Sequence, residues 1–276
     1  MLPERRAVMS RRAFRETLAA RCSDEPRHPI TNNRTAKPMS TAHELRVMTS
    51  GAFTAAHLEL LPEVERLTGK KVVTVTTSIG TGDIAIPNRL ARGEVADLVI
   101  VAETALRQFI ADGYVLPDSL TVVARSSIGF AVRRGAPKPD ADTTEKFKAF
   151  LLAAKSIGYS ASVSGAYLTK DIYQRLGIAD ACLPKSTLVG GGVRVGARIA
   201  TGELETGFQQ ISELLPVEGI DHITPLPPEL QKVSNFVIGI GTNSPHPDVA
   251  RQAIAFLTSK AAAPAIARSG LEPVAV

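Results

Sequence analysis

A chain of 276 residues that is 44% hydrophobic, with 21 Gly and 18 Pro, is long enough for one large α/β domain or two ordinary lobes, which excludes a stapled mini-protein. No apolar run approaches the ~18 residues of a membrane-crossing helix. The formal charge of +5 belongs to residues 1–38, where nine Arg and Lys face four acids, while the remaining chain balances. The body therefore carries no bias toward nucleic acid or anionic lipid, and with no Trp and 5% aromatics it lacks stacking platforms for single strands. Cys22 and Cys182 fit neither a metal spacing nor a disulfide framework; no metal and no cofactor is expected.

The motif Ser10-Arg11-Arg12-Ala13-Phe14 resembles a twin-arginine export signature, which needs roughly 7–15 apolar residues behind it. Residues 15–38 are instead rich in Arg, acids, Pro, Asn and Thr. Residues 1–40 therefore read as a disordered basic leader, or as an upstream start with Met39-Ser40 opening the functional chain. The expectation is a cytoplasmic protein, or a periplasmic one if the start is misassigned or a signal has been lost.

In chain order, the spacing predicts a strand at 45–48 and a helix over 52–68, with Phe53, Ala56, Leu60, Leu61, Val64 and Leu67 on its apolar face and Gly69 as its stop. The β-branched residues 71–76 predict a second strand, followed by a hydroxyl- and glycine-rich loop and a helix at 83–92. Residues 96–101 are apolar apart from Asp97, the pattern of a strand buried on both faces, with a helix at 103–112. Residues 120–124 and 128–133 read as two strands of an extended crossing, and 135–140 as a turn-rich link. A second set comprises a helix at 144–154, a strand at 156–160, a loop at 161–165, a helix at 166–176 and a strand at 186–189. Gly190-Gly191-Gly192-Val193-Arg194 opens a helix to 201, and a strand and loop occupy 205–210. A strand at 233–240 and helical material over 247–269 close the chain. Such alternation predicts a doubly wound α/β layer with its chemistry at the carboxyl ends of the strands.

Loops of Ser, Thr and Gly that lead into helix N-termini offer free N–H groups and a partial positive charge, so two facing sets make an anion cage. Ser50, Ser78, Ser164 with Gly165, and Arg194 occupy such positions, with a plain N-cap as the alternative for Ser164 and a solvated helix residue as the equal alternative for Arg194. Gly190–192 precedes a helix but lacks the Lys-Ser/Thr of a phosphate loop, leaving a tight turn as the equal alternative. His57, just beyond the first loop, is a candidate general base whose commoner reading is an ordinary helix histidine. Asp97 reads as a turn or cap residue, and no nucleophile elbow or zinc motif is present.

The loops Thr49-Ser50-Gly51-Ala52-Phe53-Thr54, Thr76-Thr77-Ser78, Ser164-Gly165-Ala166-Tyr167 and Val193-Arg194, with Gly202-Glu203-Leu204-Glu205-Thr206-Gly207-Phe208 and the ending Ser269-Gly270-Leu271-Glu272-Pro273, resemble in order the molybdate-binding-like family of type 2 periplasmic-binding, or extracellular solute-binding, proteins. The resemblance implies two α/β lobes, each a mixed sheet flanked by helices, closing on an anion. Lobe 1 would comprise 44–125 plus 235–276 and lobe 2 would comprise 126–234, with crossing strands near 122–133 and 231–240. It places ligand contacts at Ser50, Gly51, Ala52, Phe53, Ser78, Ala161 and Val193. The position where the family commonly offers a Tyr hydroxyl falls at Gln210, and a first-loop serine position at Ala52. These departures, with Arg194 suited to bidentate pairing, favour an organic carboxylate over a molybdate-type oxyanion. The expected function is a monomeric solute-binding clamp for a small-molecule anion, with an ABC transporter permease as the implied partner and nucleic acid excluded. The alternatives are an isomerase of small unsaturated carboxylic acids resembling aconitate isomerase, and an intracellular anion sensor.

Overall fold

The computed structural model describes residues 43–75, 77, 82–190 and 192–274. The expected leader, Cys22 and Ser78 lie outside the described residues. Among the described residues no helix is long and apolar enough to cross a membrane.

β1 (Glu44–Thr49) lies between β2 (Lys71–Val75) and β3 (Leu98–Ala102) and runs parallel to both. The other edge of β3 pairs antiparallel with β9 (Val233–Ile240), so β3 is interior to the sheet and apolar without alternation. The helix that follows β1, α1 (Gly51–Thr68), buries Phe53, Ala56, Leu60 and Val64 and ends where the sequence predicts, whereas Leu61 is only partly buried and Leu67 is exposed, because the buried stripe is narrower than the apolar spacing. Gly69 takes a φ of 63° and returns its N–H to the Glu65 carbonyl, a left-handed cap that a side chain would strain. α2 (Ile86–Ala91) and α3 (Glu103–Ala111) follow β2 and β3. Asp97 is structural, as expected: its carboxylate accepts the Arg46 backbone N–H at 2.7 Å and the Ser244 hydroxyl at 2.5 Å.

The two strands expected over 120–133 are one, β4 (Thr121–Arg133). Residues 121–127 pair with β9, whereas 128–133 pair with β7 (Thr206–Gln210) and β8 (Ile220–Pro225). The polar run Arg125-Ser126-Ser127 marks a change of partner, not an end of the ladder, so apolar content dips while hydrogen bonding continues. Gln231 grips the same place: its amide nitrogen donates to the Ile128 carbonyl at 2.9 Å while its oxygen accepts the Ile128 N–H at 3.0 Å.

Beyond that point β5 (Ile157–Ser160) lies between β6 (Ser186–Val189) and β7, parallel to both. The sheet order is β2-β1-β3-β9-β4-β7-β5-β6. α4 (Thr144–Ala153) precedes β5, capped by the Thr143 hydroxyl on the Lys146 N–H. The next helix begins earlier than predicted, as α5 (Val163–Tyr167), and continues through a wide turn at Leu168–Ile172 into Tyr173–Arg175. β8 has no counterpart in the sequence reading, because it borders β4 alone, is mostly half-exposed and carries no apolar stripe. α6 (Ala179–Cys182) places Cys182 in the core, its thiol against the Leu151 carbonyl. α7 (Val195–Ala200), α8 (Ile211–Leu214), α9 (Pro247–Leu257) and α10 (Ala263–Arg268) complete the helices that concern the core and the site. Aromatic rings fill one core beside β4: Phe130 stands 5.6 Å from both Phe147 and Phe208, centroid to centroid. Phe53 centres another, between α1 and the β1–β3 layer.

Gly165 shows what fixes α5 against β5. A Cβ there would collide with the Ser160 backbone carbonyl, which cannot withdraw as a flexible side chain would. Gly165→Ala is therefore expected to destabilise the protein by about 1–3 kcal/mol, the usual cost of overpacking a close contact. Urea unfolding checks this, and an unchanged midpoint would show that the contact yields at no cost.

Candidate functional site

Each half of the sheet has one place where successive connections leave to opposite sides: β1, with β2 and β3 beside it, and β5, with β6 and β7 beside it. Ligands in open α/β sheets bind outside the carboxyl ends of the strands at such places. The loops after these two strands line the same cavity, of about 330 Å³, within the usual range for small-molecule sites. The wall comes from Ser50 and Gly51 on one side and Ala161 and Ser162 on the other, and is completed by Arg194 and Gln210.

The residues predicted from sequence divide accordingly. Ser50, Gly51, Ala52, Ala161, Val193, Arg194 and Gln210 line the cavity. Phe53 does not: it is fully buried in the core beneath α1, where the helical period turns it away from the loop. Ser164 and Gly165 stand behind the wall. The Ser164 hydroxyl is buried, 3.3 Å from that of Ser160 and 3.1 Å from that of Ser162, and the two latter residues are the ones that reach the cavity. Helix α5 begins at Val163 with Ser162 as its N-cap, so the predicted loop ends too late and shifts the exposed serine by two positions. His57 is also behind the wall, 1% exposed, with Nε2 2.7 Å from the hydroxyl of Thr74, a cavity-lining residue. Burial pushes its ring down to about 4, which leaves it neutral and removed from direct contact with a ligand. Gly190 and Gly192 border the cavity, and Gly192 has a φ of 81°, the left-handed turn conformation.

Two buried polar atoms on the wall have no hydrogen-bond partner among the described residues: the Ser50 hydroxyl and the Gln210 amide oxygen. Buried polar atoms are ordinarily hydrogen-bonded, so these two are wall atoms still able to bond a group within the cavity. Ser50 is the N-cap of the 18-residue α1, makes no side-chain cap bond, and has no acid in the first turn after it. The first turn of α7 is different: Gln209 Oε1 already accepts the N–H groups of Val195 at 2.8 Å and Gly196 at 3.4 Å. The open helix end is therefore that of α1. Arg194, the N-cap of α7, supplies the positive side chain among the lining residues.

Glu213 is the site residue that the sequence reading missed. It occupies the third position of α8, three residues after its N-cap Gln210, where a glutamate commonly turns back on the N-cap backbone. That local bond exists here, yet burial outweighs it and the nearby Arg194 charge, pushing the carboxyl up to about 7. Glu213 reaches the N-terminus of α1, where a Cβ on Gly51 would collide with its carboxylate. The pattern Gln210-Ile211-Ser212-Glu213 at a strand end was the available signal, but it looks like any capped helix. What distinguishes it is the neighbour, Gly51, 162 positions earlier in the chain.

Residues 45–272 match the family model described as bacterial extracellular solute-binding protein. An aconitate isomerase from a Pseudomonas species is 40% identical over 240 residues, covering 87% of this chain and 90% of that protein. The periplasmic molybdate-binding protein of Azotobacter vinelandii superposes with a TM-score of 0.66 at 17% identity, over 82% of this chain and 98% of that one. The sulfate-binding protein of Mycobacterium tuberculosis gives a TM-score of 0.63 at 18% identity, over 84% and 87% of the two chains. These two likenesses establish the two-lobed type 2 periplasmic-binding fold, and the family match spans nearly all the described residues. The chain belongs to the bacterial extracellular solute-binding protein family.

Proposed function

We propose that the protein is an isomerase of small unsaturated polycarboxylic acids of the aconitate type, with Glu213 moving a proton along an allylic system. One observation carries this reading: a carboxyl group poised near neutrality stands in the wall of a cavity that Arg194 and the uncapped start of α1 also line. A clamp that only holds an anion gains nothing from a second negative charge beside its ligand. A proton-transfer enzyme needs a group that is basic enough to remove a proton and acidic enough to return it, and such a group works best with a pKa near the operating pH. The 40% identity to an aconitate isomerase supports the same choice.

The chemistry follows from the substrate class. Interconverting cis and trans forms of a substituted alkene requires the C=C π bond to be lost for a moment. In an aconitate the methylene next to the double bond is acidified by the alkene and its carboxylates. Glu213 as carboxylate would take one methylene proton, and the C–H electron pair would spread over the three-carbon unit and its carboxylates. The Glu213 carboxylic acid would then return the proton to the far carbon, so the double bond reforms one position along with new geometry. The step balances: the electron pair stays within the substrate, one proton leaves one carbon for Glu213 and one returns from Glu213 to the other, and the carboxylic acid proton exchanges with solvent in between. Arg194 would pair bidentately with a carboxylate and offset the charge that spreads onto it, while Ser50 and the open end of α1 would hold another. Gly51 matters because only the absence of a side chain lets the Glu213 carboxylate reach this place.

The second reading, a clamp that hands its anion to an ABC permease, is favoured by the family to which the chain belongs. Proton NMR in D2O separates the two. Incubation with trans-aconitate should yield cis-aconitate with deuterium incorporated. Glu213→Gln should lower kcat by roughly 10²–10⁴, the usual share of general acid–base catalysis, while leaving substrate affinity little changed. Arg194→Ala should both raise KM and lower kcat, because it removes a carboxylate contact that strengthens as charge spreads onto it. Tight binding with neither isomerisation nor deuterium uptake would overturn the isomerase and leave the clamp.

The same carboxyl sets a pH dependence in the empty protein. Its folded pKa of about 7 lies above its ordinary 4.5, so its contribution to stability is present below pH 4.5 and lost as pH rises through 7. Glu213→Gln, which cannot ionise, should therefore gain on the parent between pH 5 and pH 8, by at most ~3 kcal/mol and by less where water in the cavity screens the charge. Urea unfolding at the two pH values measures the gap. An equal gap at both would mean that the carboxyl ionises as it would in water.

A further inference from the structure

The hydroxyls around the cavity are not equivalent, because each has only one proton to donate and an anion needs donors. Thr49 Oγ1 gives its proton to the Ser50 carbonyl at 3.1 Å, and Thr54 Oγ1 gives its own to the same carbonyl, also at 3.1 Å. Thr77 Oγ1 gives its proton to the Thr49 carbonyl at 2.5 Å. A carbonyl only accepts, so these three threonines line the cavity with their protons already spent. Among the described residues of the same half of the site, two hydroxyls remain: that of Ser50, which has no partner among those residues, and that of Thr74, whose contact is His57 Nε2 at 2.7 Å.

We infer that Thr74 is a second anion-anchoring hydroxyl, and that His57, packed behind it, is the positioning residue that keeps the Thr74 proton free for the ligand. The inference refines the substrate side of the proposed isomerase, but it concerns binding and would hold equally for a clamp. A neutral imidazole carries one ring proton. With that proton on Nε2, His57 donates to Thr74 Oγ1, and the threonine's own hydrogen is left free to turn to a ligand in the cavity that Thr74 lines. With the proton on Nδ1 the direction reverses, and Thr74 would show an anion only lone pairs. Burial holds the ring neutral by lowering its pKa to about 4, so a single ring proton is present throughout the neutral range. His57 is 1% exposed on the second turn of α1, and Thr74 lies on β2 beside Val47 of β1, so rigid elements hold both groups.

The test is calorimetric titration of trans-aconitate, citrate and sulfate into the full chain and four variants, with thermal unfolding of each variant alongside. For the tightest of these probes, Thr74→Val should weaken binding by about tenfold or more, as expected for one lost hydrogen bond to a charge. His57→Leu should weaken it similarly, and the double variant should be no weaker than Thr74→Val by more than about twofold, since the two groups would act as one unit. His57→Gln, whose amide N–H can stand where Nε2–H stands, should restore affinity even if His57→Leu folds poorly. A structural role for His57 alone would move melting temperature without this coupling or rescue. Unchanged affinity in Thr74→Val, additive losses in the double variant, or no recovery with Gln would overturn the inference. Binding of trans-aconitate without its conversion would overturn the isomerase and leave the anchoring pair intact. Silence of the parent protein toward all three probes would overturn both.

Discussion

The approach of the Glu213 carboxyl to Gly51 is the contact on which the character of the site depends. It brings the start of α8 against the start of α1, and it is permitted by a missing Cβ at one position. The consequence is electrostatic. A carboxyl crowded by protein favours its neutral form, and two features that would keep it charged, a backbone N–H and the Arg194 charge, do not compensate for the lost water. Near neutrality both protonation states are then accessible, which ordinary surface glutamates at their usual pKa do not offer. An anion cavity holding such a group differs in kind from one built of hydroxyls and amides alone.

Around that contact the wall is arranged by hydrogen-bond supply. Protons committed to backbone carbonyls, as on Thr49, Thr54 and Thr77, shape the loops, whereas the Ser50 hydroxyl is left available to a ligand. The same distinction separates the two helix ends. Gln209 occupies the first N–H groups of α7, while the first turn of α1 meets the cavity with neither a side-chain cap bond nor an acid. Residue type therefore says less about ligand contact than the question of which donors are already used. Asp97 illustrates the opposite case, a buried acid whose oxygens both serve the scaffold.

The fold is shared with proteins named for binding molybdate and sulfate, and 40% of the sequence, over 240 residues, with one named for isomerising aconitate. A fold with two switch-point loops facing one cavity serves either purpose, because holding an anion and holding a carboxylate during proton transfer demand the same first contacts. On the proposed reading the distinction rests on a single added group, Glu213, which comes from a short helix far along the chain.

The amino-acid sequence by itself determined the alternation of strands and helices, the stop at Gly69, the buried run of β3 and the loops at Ser50 and Arg194. Each is written in local periodicity or in the special chemistry of Gly and Ser within a few residues. It misjudged what depends on partners. β4 continues through a polar segment because β9 is there to pair with it, and β8 forms at an edge where no apolar stripe is needed. Ser164 and Phe53 face inward because of where their helices begin and turn, a phase error of one to three residues. His57 and Glu213 look alike in sequence, as single titratable residues near helix starts. Only the tertiary structure decided that one is walled off behind Thr74 while the other meets the cavity, because desolvation and proximity are properties of residues distant in sequence.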